Sequence, residues 1–274
     1  MNPFLLGACA AAGAAAAYAV GWERWWLEVT RRDVPLPCLS EPLRGLTIAH
    51  LSDLHCGPLA PVRFIRLAVD RTNALGADIV AVTGDLVEER PSQVAPVVRE
   101  LSRLRAPLGV WAVLGNHDLT AGERLCRELL ADAGIGLLRN EARLLADGPA
   151  PLWIAGVRDN SRYALDDLES ALASVPPAAR VILLAHSPDI APEAAERGVD
   201  LVLSGHTHGG QVCLPFYGPV LTKSRYGRRF ARGLTRVGRT WVYTHRGLGT
   251  VRLPARFLAR PEIALHRLVH ADEA

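Results

Sequence analysis

Short apolar runs that each end in a polar turn recur along the chain. They are four to six residues long, which is too short for a typical helix and is usual for a strand buried in a sheet. Apolar residues at helical spacing follow each of the first three runs, so the order strand, turn, helix is repeated. This order predicts an α/β fold built around a buried sheet. The five clearest predicted strands are Leu46–Leu51, Asp78–Val82, Gly109–Leu114, Val181–Ala185 and Leu201–Ser204.

The turn after each predicted strand carries side chains that bind metal ions. In open α/β sheets the ligand site forms at the carboxyl ends of the strands, so these turns are expected to meet. Two pairs, Asp53 with His55 and His206 with His208, stand two positions apart, and in extended backbone such side chains face the same way. The set comprises two carboxylates, one amide and four imidazoles: Asp53, His55, Asp85, Asn116, His186, His206 and His208.

This set of ligands suits divalent transition metals and contains no hydroxyl or thiol nucleophile. Seven ligands are more than one ion binds, so two ions sharing one carboxylate are predicted. The competing interpretation is that Asp and Asn stand here only because they favour turns. That interpretation requires the same coincidence in every one of these turns, and we therefore favour a dinuclear metal site.

The amino terminus is apolar and has no charge from Pro3 to Trp22, which is about the length that crosses a bilayer as a helix. Arg24 and two further arginines follow this stretch, so the positive-inside rule would place the rest of the chain in the cytoplasm. A cleaved signal peptide is the alternative, but the basic residues that usually precede its apolar core are missing. We expect a transmembrane anchor over residues 1–22, a linker over 23–43 and a catalytic domain over 44–270 of a single-pass bacterial inner-membrane protein.

Composition adds two limits. The net charge of +3 over 274 residues is too small and too scattered to indicate nucleic-acid binding. The five cysteines are an odd number without a CxxC pair, which predicts reduced thiols and no disulfide framework. They are Cys9, Cys38, Cys56, Cys126 and Cys213.

Five motifs resemble, in order and spacing, those of the calcineurin-like metallophosphoesterase superfamily: Asp53-x-His55, Gly84-Asp85, Gly115-Asn116-His117-Asp118, His186 and Gly205-His206-x-His208. The resemblance covers Gly45 to Val269. It implies two mixed β-sheets packed face to face with flanking helices, an αββα sandwich. Within the superfamily the chain is similar to the membrane-anchored bacterial branch, which includes broad phosphodiesterases and UDP-2,3-diacylglucosamine pyrophosphatases.

The resemblance also implies a role for each motif residue. Asp85 would bridge two divalent ions, of which manganese is expected first and iron, zinc and magnesium are the alternatives. The remaining ligands of one ion would be Asp53, His55 and His208. Those of the other would be Asn116, His186 and His206. His117 would contact a phosphoryl oxygen or protonate the leaving group, and Asp118 would orient its imidazole.

Basic residues interleaved with aromatic ones follow the His206 turn, between Leu214 and Gly233. This composition suits contact with a phosphorylated amphipathic substrate or an anionic membrane surface, although a solvated loop has the same composition. Arg225 and Arg228 in this stretch are candidate substrate residues. Arg246, which begins the motif Arg-Gly-Leu-Gly, is a third candidate, and a structural role for it is the alternative.

These observations predict hydrolysis of a phosphodiester or pyrophosphate bond by a metal-activated hydroxide. UDP-2,3-diacylglucosamine in lipid A synthesis is the narrower substrate prediction. A phosphodiesterase or phosphatase acting on soluble or envelope substrates is one alternative, and a non-catalytic metal-binding scaffold is another. A nuclease is the least favoured hypothesis. We expect the partner to be a phosphorylated small molecule or a lipid-linked substrate, and we expect no binding of nucleic acid.

Overall fold

The computed structural model describes residues 3–37, 39–148 and 150–273, and these residues form six α-helices and fourteen β-strands. The helices are α1 (Pro3–Gly21), α2 (Val62–Asn73), α3 (Val94–Leu101), α4 (Asn116–Asp132), α5 (Leu168–Leu172) and α6 (Ala191–Glu196). The strands are β1 (Glu28–Leu36), β2 (Thr47–Leu51), β3 (Ile79–Thr83), β4 (Val110–Val113), β5 (Gly136–Leu137), β6 (Glu141–Ala146), β7 (Leu152–Gly156), β8 (Arg180–Leu184), β9 (Leu201–Ser204), β10 (Cys213–Leu214), β11 (Gly218–Pro219), β12 (Gly233–Val237), β13 (Thr240–Thr244) and β14 (Glu262–His270).

Two six-stranded sheets and one small hairpin, β10-β11, contain these strands. The first sheet has the order β1-β14-β2-β3-β4-β5, and the second has the order β12-β13-β9-β8-β7-β6. Strands β2 to β5 are parallel to one another, and so are β7, β8, β9 and β13. Antiparallel pairs, β14 with β2, β12 with β13 and β6 with β7, make both sheets mixed.

The two sheets pack face to face over an apolar layer. Ile48, Ile79 and Val113 of the first sheet and Ile182 and Leu203 of the second are buried in this layer. Helices α2, α3 and α4 cover the outer face of the first sheet, and α5 and α6 cover that of the second. Because strands buried on both faces read as continuous apolar runs, all five predicted strands are observed. The predicted αββα sandwich is confirmed.

The stretch expected to be a linker contains strand β1. This strand pairs in parallel with β14 along nine residues, from Glu28 to Leu36. Val34 and Leu36 are buried, whereas Arg31, Arg32 and Asp33 are exposed. Its mixed polarity reflects its position at the edge of the sheet, where Pro35 is also tolerated.

Helix α1 forms where the apolar amino-terminal stretch predicted a helix, but it does not support the predicted membrane topology. None of the described helices is both long enough and apolar enough to span a bilayer. The predicted location, a single pass through the inner membrane, is therefore wrong. Many residues of α1 are alanines, and each of them contributes little apolar surface to a bilayer.

Four of the five cysteines predicted to be reduced, Cys9, Cys56, Cys126 and Cys213, are free thiols in the structure. Cys38 lies outside the described residues. Burial raises the pKa of the Cys56 thiol to about 11 and that of Cys126 to about 12. These two thiols are therefore protonated at neutral pH and behave as small apolar side chains.

A buried carboxylate, Glu262 at the start of β14, joins the first sheet to the second. Its Oε1 accepts hydrogen bonds from Thr30 of β1 at 2.6 Å and from Tyr243 of β13 at 2.7 Å. Its Oε2 accepts the backbone amide of Arg246, whose guanidinium lies 3.2 Å from Oε1 and 2.7 Å from Glu28. Burial disfavours the charge of Glu262, but the charges of His245 and Arg246 outweigh burial and lower its pKa from 4.5 to about 2.

Replacing this carboxylate should destabilise the fold in a pH-dependent way. We expect Glu262→Gln to lower the free energy of unfolding by about 2 kcal/mol at pH 7, because it leaves the half-buried guanidinium of Arg246 short of one charged partner. Since the folded state lowers the pKa of Glu262, its contribution is complete above pH 4.5 and is lost as the pH falls towards 2. Urea unfolding followed by circular dichroism across this range measures the difference.

The matched control is Glu41→Gln, which changes an exposed glutamate paired with Arg44 at 3.0 Å. Exposed pairs contribute little to stability, so this variant should unfold like the wild type. A loss of stability in Glu262→Gln that does not shrink at low pH would contradict the role of its charge.

Candidate metal centre

Five turns converge at one edge of the sandwich, and they carry all seven predicted ligands. Asp53 and His55 follow β2, Asp85 follows β3, and Asn116 follows β4 in the first sheet. In the second sheet His186 follows β8, and the pair of histidines at 206 and 208 follows β9. These five strands run in the same direction within their sheets, so their carboxyl ends lie together. The chain topology therefore assembles the site.

The backbone of these turns is unusual. Five of the seven predicted ligands have positive φ angles, which are uncommon for residues other than glycine. They are Asp53 (49°), His55 (43°), Asp85 (51°), His206 (68°) and His208 (54°). Such a conformation costs on the order of 1 kcal/mol per residue and clusters at functional sites. From the sequence, an extended backbone is expected to direct these side chains to one site. Tight left-handed turns direct them instead.

One group of ligands comprises Asp53, His55 and His208, whose ligand atoms lie within 4.8 Å of one another. The Nε2 atom of His208 is 3.3 Å from Asp53 Oδ1 and 3.1 Å from His55 Nε2. Asp53 is held in place because its Oδ2 accepts a hydrogen bond from Ser52 at 2.8 Å and one from the backbone amide of His206 at 2.9 Å. All three ligands are buried, so the group is fixed before any ion binds.

A second group comprises Asp85, His186 and His206, again within 4.8 Å. The Nε2 atom of His186 lies 3.3 Å from Asp85 Oδ2 and 3.1 Å from His206 Nδ1. Its other ring nitrogen, Nδ1, donates to the carbonyl of Thr83 at 2.8 Å. This bond leaves Nε2 directed at the carboxylate, as is usual for an imidazole that binds a metal.

The carboxylate of Asp85 connects the two groups. Its Oδ1 accepts the backbone amide of His117 at 3.0 Å, and its Oδ2 lies 3.4 Å from His55 Nε2 in one group and 3.3 Å from His186 Nε2 in the other. This Oδ2 atom is buried and is without a hydrogen-bond partner among the residues that the structure describes. An orphaned buried carboxylate oxygen between two sets of imidazoles fits a position that divalent cations occupy.

Electrostatics favour the metal-binding protonation state for three of the four candidate histidine ligands. Burial lowers the pKa of His55 to about 3, and it also holds the pKa values of His206 and His208 well below 6.5. These imidazoles are therefore neutral at pH 7, which is the form that coordinates a metal. Burial also disfavours a charged His186, but the charge of Asp85 outweighs it and raises the pKa of His186 to about 10. The proton on His186 neutralises the buried charge of Asp85, as a bound metal ion would.

Asn116 and His117 begin helix α4 and line the same pocket as His206. The Oδ1 atom of Asn116 accepts a hydrogen bond from Ser161 at 3.2 Å. The imidazole of His117 stacks edge-on against His55, with ring centroids 4.7 Å apart, and its Nδ1 meets the carbonyl of Glu88. His117 also forms a third potential ligand group with His55 and Asp85.

Asp118 makes contacts other than the predicted pairing with the His117 imidazole. Its carboxylate accepts backbone amides from Gly115 at 2.9 Å, Leu86 at 2.8 Å and Val87 at 3.2 Å. Burial and the charge of Asp85 raise its pKa to about 7, against these hydrogen bonds. Asp118 therefore ties the turn after β3 to the start of α4 and positions its neighbours through the backbone.

The three predicted substrate arginines differ in their surroundings. Arg246 is engaged by Glu28 and Glu262, so its contacts are those of a structural residue. Arg228 lies 3.8 Å above the ring of Tyr217. Arg225 lines the pocket and lies 3.6 Å from a carboxylate oxygen of Asp189.

The pocket has a volume of about 1210 Å³ and contains polar residues that the sequence analysis did not single out. Asn160, Ser161 and Arg162 belong to the turn after β7, and Lys223 and Arg252 come from other loops. Strand β7 is parallel to β8, so its turn reaches the same edge of the sandwich. The rule that selected the candidate metal ligands also selects this turn once β7 is treated like the other strands.

Comparisons with known proteins agree with this geometry. Residues 46–210 match the family profile described as calcineurin-like phosphoesterase. The chain is 33% identical, over 96% of its length and 94% of the other protein, to a Bacillus subtilis protein named uncharacterized metallophosphoesterase YkuE. It is 29% identical, over 90% of both proteins, to phosphodiesterase YaeI of Escherichia coli. The crystal structure of a dimetal phosphatase from Danio rerio matches with a TM-score of 0.50 and 14% identity, covering 82% of this chain and 93% of that one, which supports the fold alone.

Removing the charge of the shared carboxylate should abolish metal binding in both groups. Losing a residue that only hydrogen-bonds to a metal ligand costs up to about 100-fold in metal affinity. We expect Asp85→Asn, which alters a ligand itself, to lower the affinity for divalent ions by at least this factor. Equilibrium dialysis with elemental analysis measures the ions bound per chain. Asp166→Asn, which alters another pocket carboxylate outside the ligand groups, should bind the ions like the wild type. Two tightly bound ions in Asp85→Asn would exclude the shared role.

Gly205 should tolerate no side chain. A Cβ atom at this position would overlap Ser52 Oγ and Asp53 Oδ2, so Gly205→Ala is expected to displace Asp53 and to cost about 2 kcal/mol of stability. Metal content and thermal unfolding of the same sample report both effects. Gly13→Ala is the control, because a Cβ there meets nothing within 4 Å. Unchanged metal content in Gly205→Ala would show that Asp53 needs no fixed position.

Proposed function

The chain belongs to the calcineurin-like phosphoesterase family and is a metal-dependent phosphoric ester hydrolase, and on this premise we propose that it hydrolyses a phosphodiester or pyrophosphate bond at a dinuclear metal centre. The observation that carries the proposal is the position of Asp85 Oδ2, which is buried between two groups of imidazoles and has no hydrogen-bond partner among the described residues. A carboxylate shared in this way suits two adjacent cations.

In this proposal each ion has four protein ligands, with Asp85 common to both. Asp53, His55 and His208 complete one set, and Asn116, His186 and His206 complete the other. When bound, two such ions lower the pKa of a water molecule and neutralise charge on the phosphoryl oxygens. Imidazole and carboxylate ligands admit manganese, iron or zinc, and we expect manganese to support activity best.

His117 is the residue that we propose acts on the substrate directly. The Glu88 carbonyl accepts the proton of Nδ1 and so fixes the ring, which leaves Nε2 free for the substrate. From this position the imidazole binds a phosphoryl oxygen or transfers a proton to the leaving oxygen. The carbonyl of Glu88 and the ring of His55 restrict the imidazole to one orientation, which is the preorganisation that proton transfer requires.

Of the two bonds, the phosphodiester has support from a relative, since the protein of Escherichia coli is named a phosphodiesterase. The narrower substrate, UDP-2,3-diacylglucosamine, was favoured by a transmembrane anchor, a cytoplasmic orientation and the basic aromatic loop, and none of the described helices is long and apolar enough to be that anchor. The large polar pocket accepts a substrate bigger than a simple phosphate monoester.

Metal-dependent turnover of bis(4-nitrophenyl) phosphate tests the proposed function. The protein is treated with a chelator and then supplied with Mn²⁺, Fe²⁺, Zn²⁺ or Mg²⁺, and the release of 4-nitrophenolate is followed. We expect no turnover without metal and recovery with Mn²⁺. Full metal binding without hydrolysis of this ester, or of a pyrophosphate diester, would instead indicate a non-catalytic scaffold.

His117→Asn should separate metal binding from turnover. Loss of a positioned acid or base costs about 10²- to 10⁴-fold in rate, and we expect a decrease in kcat within this range with two ions still bound. His245→Asn is a control for a buried histidine that belongs to neither ligand group. Loss of an ion in His117→Asn would assign His117 to the third ligand group, with His55 and Asp85, as a metal ligand.

A further inference from the structure

We propose that Lys223 and Arg252 form a second anion-binding subsite at the mouth of the pocket, selecting substrates that carry another phosphate next to the one hydrolysed. This inference rests on the proposed function and narrows its substrate class to pyrophosphate diesters. Lys223 is the only lysine among the 31 basic side chains of Lys and Arg in the chain. Arg246, Arg225 and Arg228, the arginines expected from the sequence, do not belong to the subsite.

The segments that carry the two residues are both hydrogen-bonded to Gln211 and Val212, shortly after the candidate ligand His208. Val220 donates its backbone amide to the carbonyl of Val212 at 3.2 Å, three residues before Lys223. The side chain of Gln211 accepts the backbone amide of Val251 at 3.0 Å and donates to the carbonyl of Leu253 at 2.9 Å, so it holds the residues on both sides of Arg252. Lys223 and Arg252 both line the pocket.

Neither cation is neutralised by the protein. Within the described part of the chain, Lys223 and Arg252 make no hydrogen bond or ion pair through their side chains, whereas Arg225 is close to Asp189 and Arg162 stacks on Tyr163. Arg252 also has a positive φ of 61°, a conformation that costs free energy. Two exposed charges of one sign that line the same polar pocket attract an anion.

Lys223 shares the pocket with the candidate site, because the same cavity is lined by Asn116, His117 and His206. Among the described residues its ammonium has no hydrogen bond or ion pair to any of these side chains. We therefore assign to Lys223 a phosphate of the substrate adjacent to the reacting one.

Carboxylates also line the pocket, among them Glu88, Glu89, Asp166 and Asp189. Asp189 accepts hydrogen bonds from the hydroxyl of Ser224 at 2.5 Å and from the backbone amide of Arg225 at 2.9 Å, so its charge is already compensated. A phosphodiester carries one negative charge, whereas a pyrophosphate diester carries two. In the latter, water adds to one phosphorus atom, the P–O–P bond breaks, and the leaving phosphate is the group that Lys223 and Arg252 hold.

Two aryl substrates that differ by one phosphate test the subsite: bis(4-nitrophenyl) phosphate and symmetrical bis(4-nitrophenyl) pyrophosphate. We expect Lys223→Ala and Arg252→Ala each to lower kcat/KM for the pyrophosphate by about tenfold, the usual effect of losing one charge-assisted hydrogen bond. The same variants should hydrolyse the simple diester like the wild type. Lys223→Arg should recover most of the activity, since it restores the charge. Chromatography of the 4-nitrophenyl phosphate formed follows both reactions.

Arg90→Ala is the matched control, because it removes another exposed arginine that lines the same pocket. An equal loss on both substrates, or a loss as large in Arg90→Ala, would overturn the subsite.

Calorimetry of the metal-loaded protein with the non-hydrolysable methylenediphosphonate diester measures binding without turnover, and about tenfold weaker binding is expected for Lys223→Ala. If the wild type hydrolyses neither ester, the proposed function fails, while unchanged binding in Lys223→Ala would refute the subsite alone.

Discussion

One buried carboxylate oxygen, Asp85 Oδ2, sets the electrostatic constraint on the whole site. It lies between two groups of imidazoles, is shielded from water and has no hydrogen-bond partner among the described residues. A buried charge of this kind needs a compensating positive charge. Without metal, the nearby protonated His186, 3.3 Å away, supplies it, and two cations would supply it more completely. The arrangement therefore fits a site that binds cations.

Strained turns make this arrangement possible, and hydrogen bonds between neighbouring turns hold them. The amide of Asp53 donates to the carbonyl of Gly84 at 3.0 Å, and that of His55 donates to the carbonyl of Asp85 at 2.9 Å. In the second sheet the amide of Gly205 donates to the carbonyl of His186 at 2.9 Å. Because each left-handed turn is bonded to the next, no single turn relaxes alone. The apolar layer between the sheets provides the rigid base that keeps these turns in register.

The sequence indicates which turns meet at this edge of the sandwich, and the reason is simple and physical. A buried parallel strand is a continuous apolar run, and its carboxyl end is where ligands gather, so Asp53, Asp85 and His186 are recognisable without coordinates. Edge elements lack this signal. Strand β1 has exposed charged residues because its edge position leaves them in water, and it was therefore expected to be a linker. The opposite error concerns helix α1. Its length and lack of charge predicted a membrane span, but none of the described helices is long and apolar enough to be one.

Arginine and lysine residues show where sequence reasoning ends. The role of a basic residue depends on whether a carboxylate from a distant part of the chain reaches it, and such pairing has no local signature. Arg246 follows a strand and resembles a phosphate ligand in sequence, yet Glu28, which lies 218 residues away, neutralises it. Lys223 has no motif of its own, but no carboxylate among the described residues pairs with it. Free positive charge beside a metal centre is therefore a property of the fold, and it is this property that determines which anions the pocket accepts.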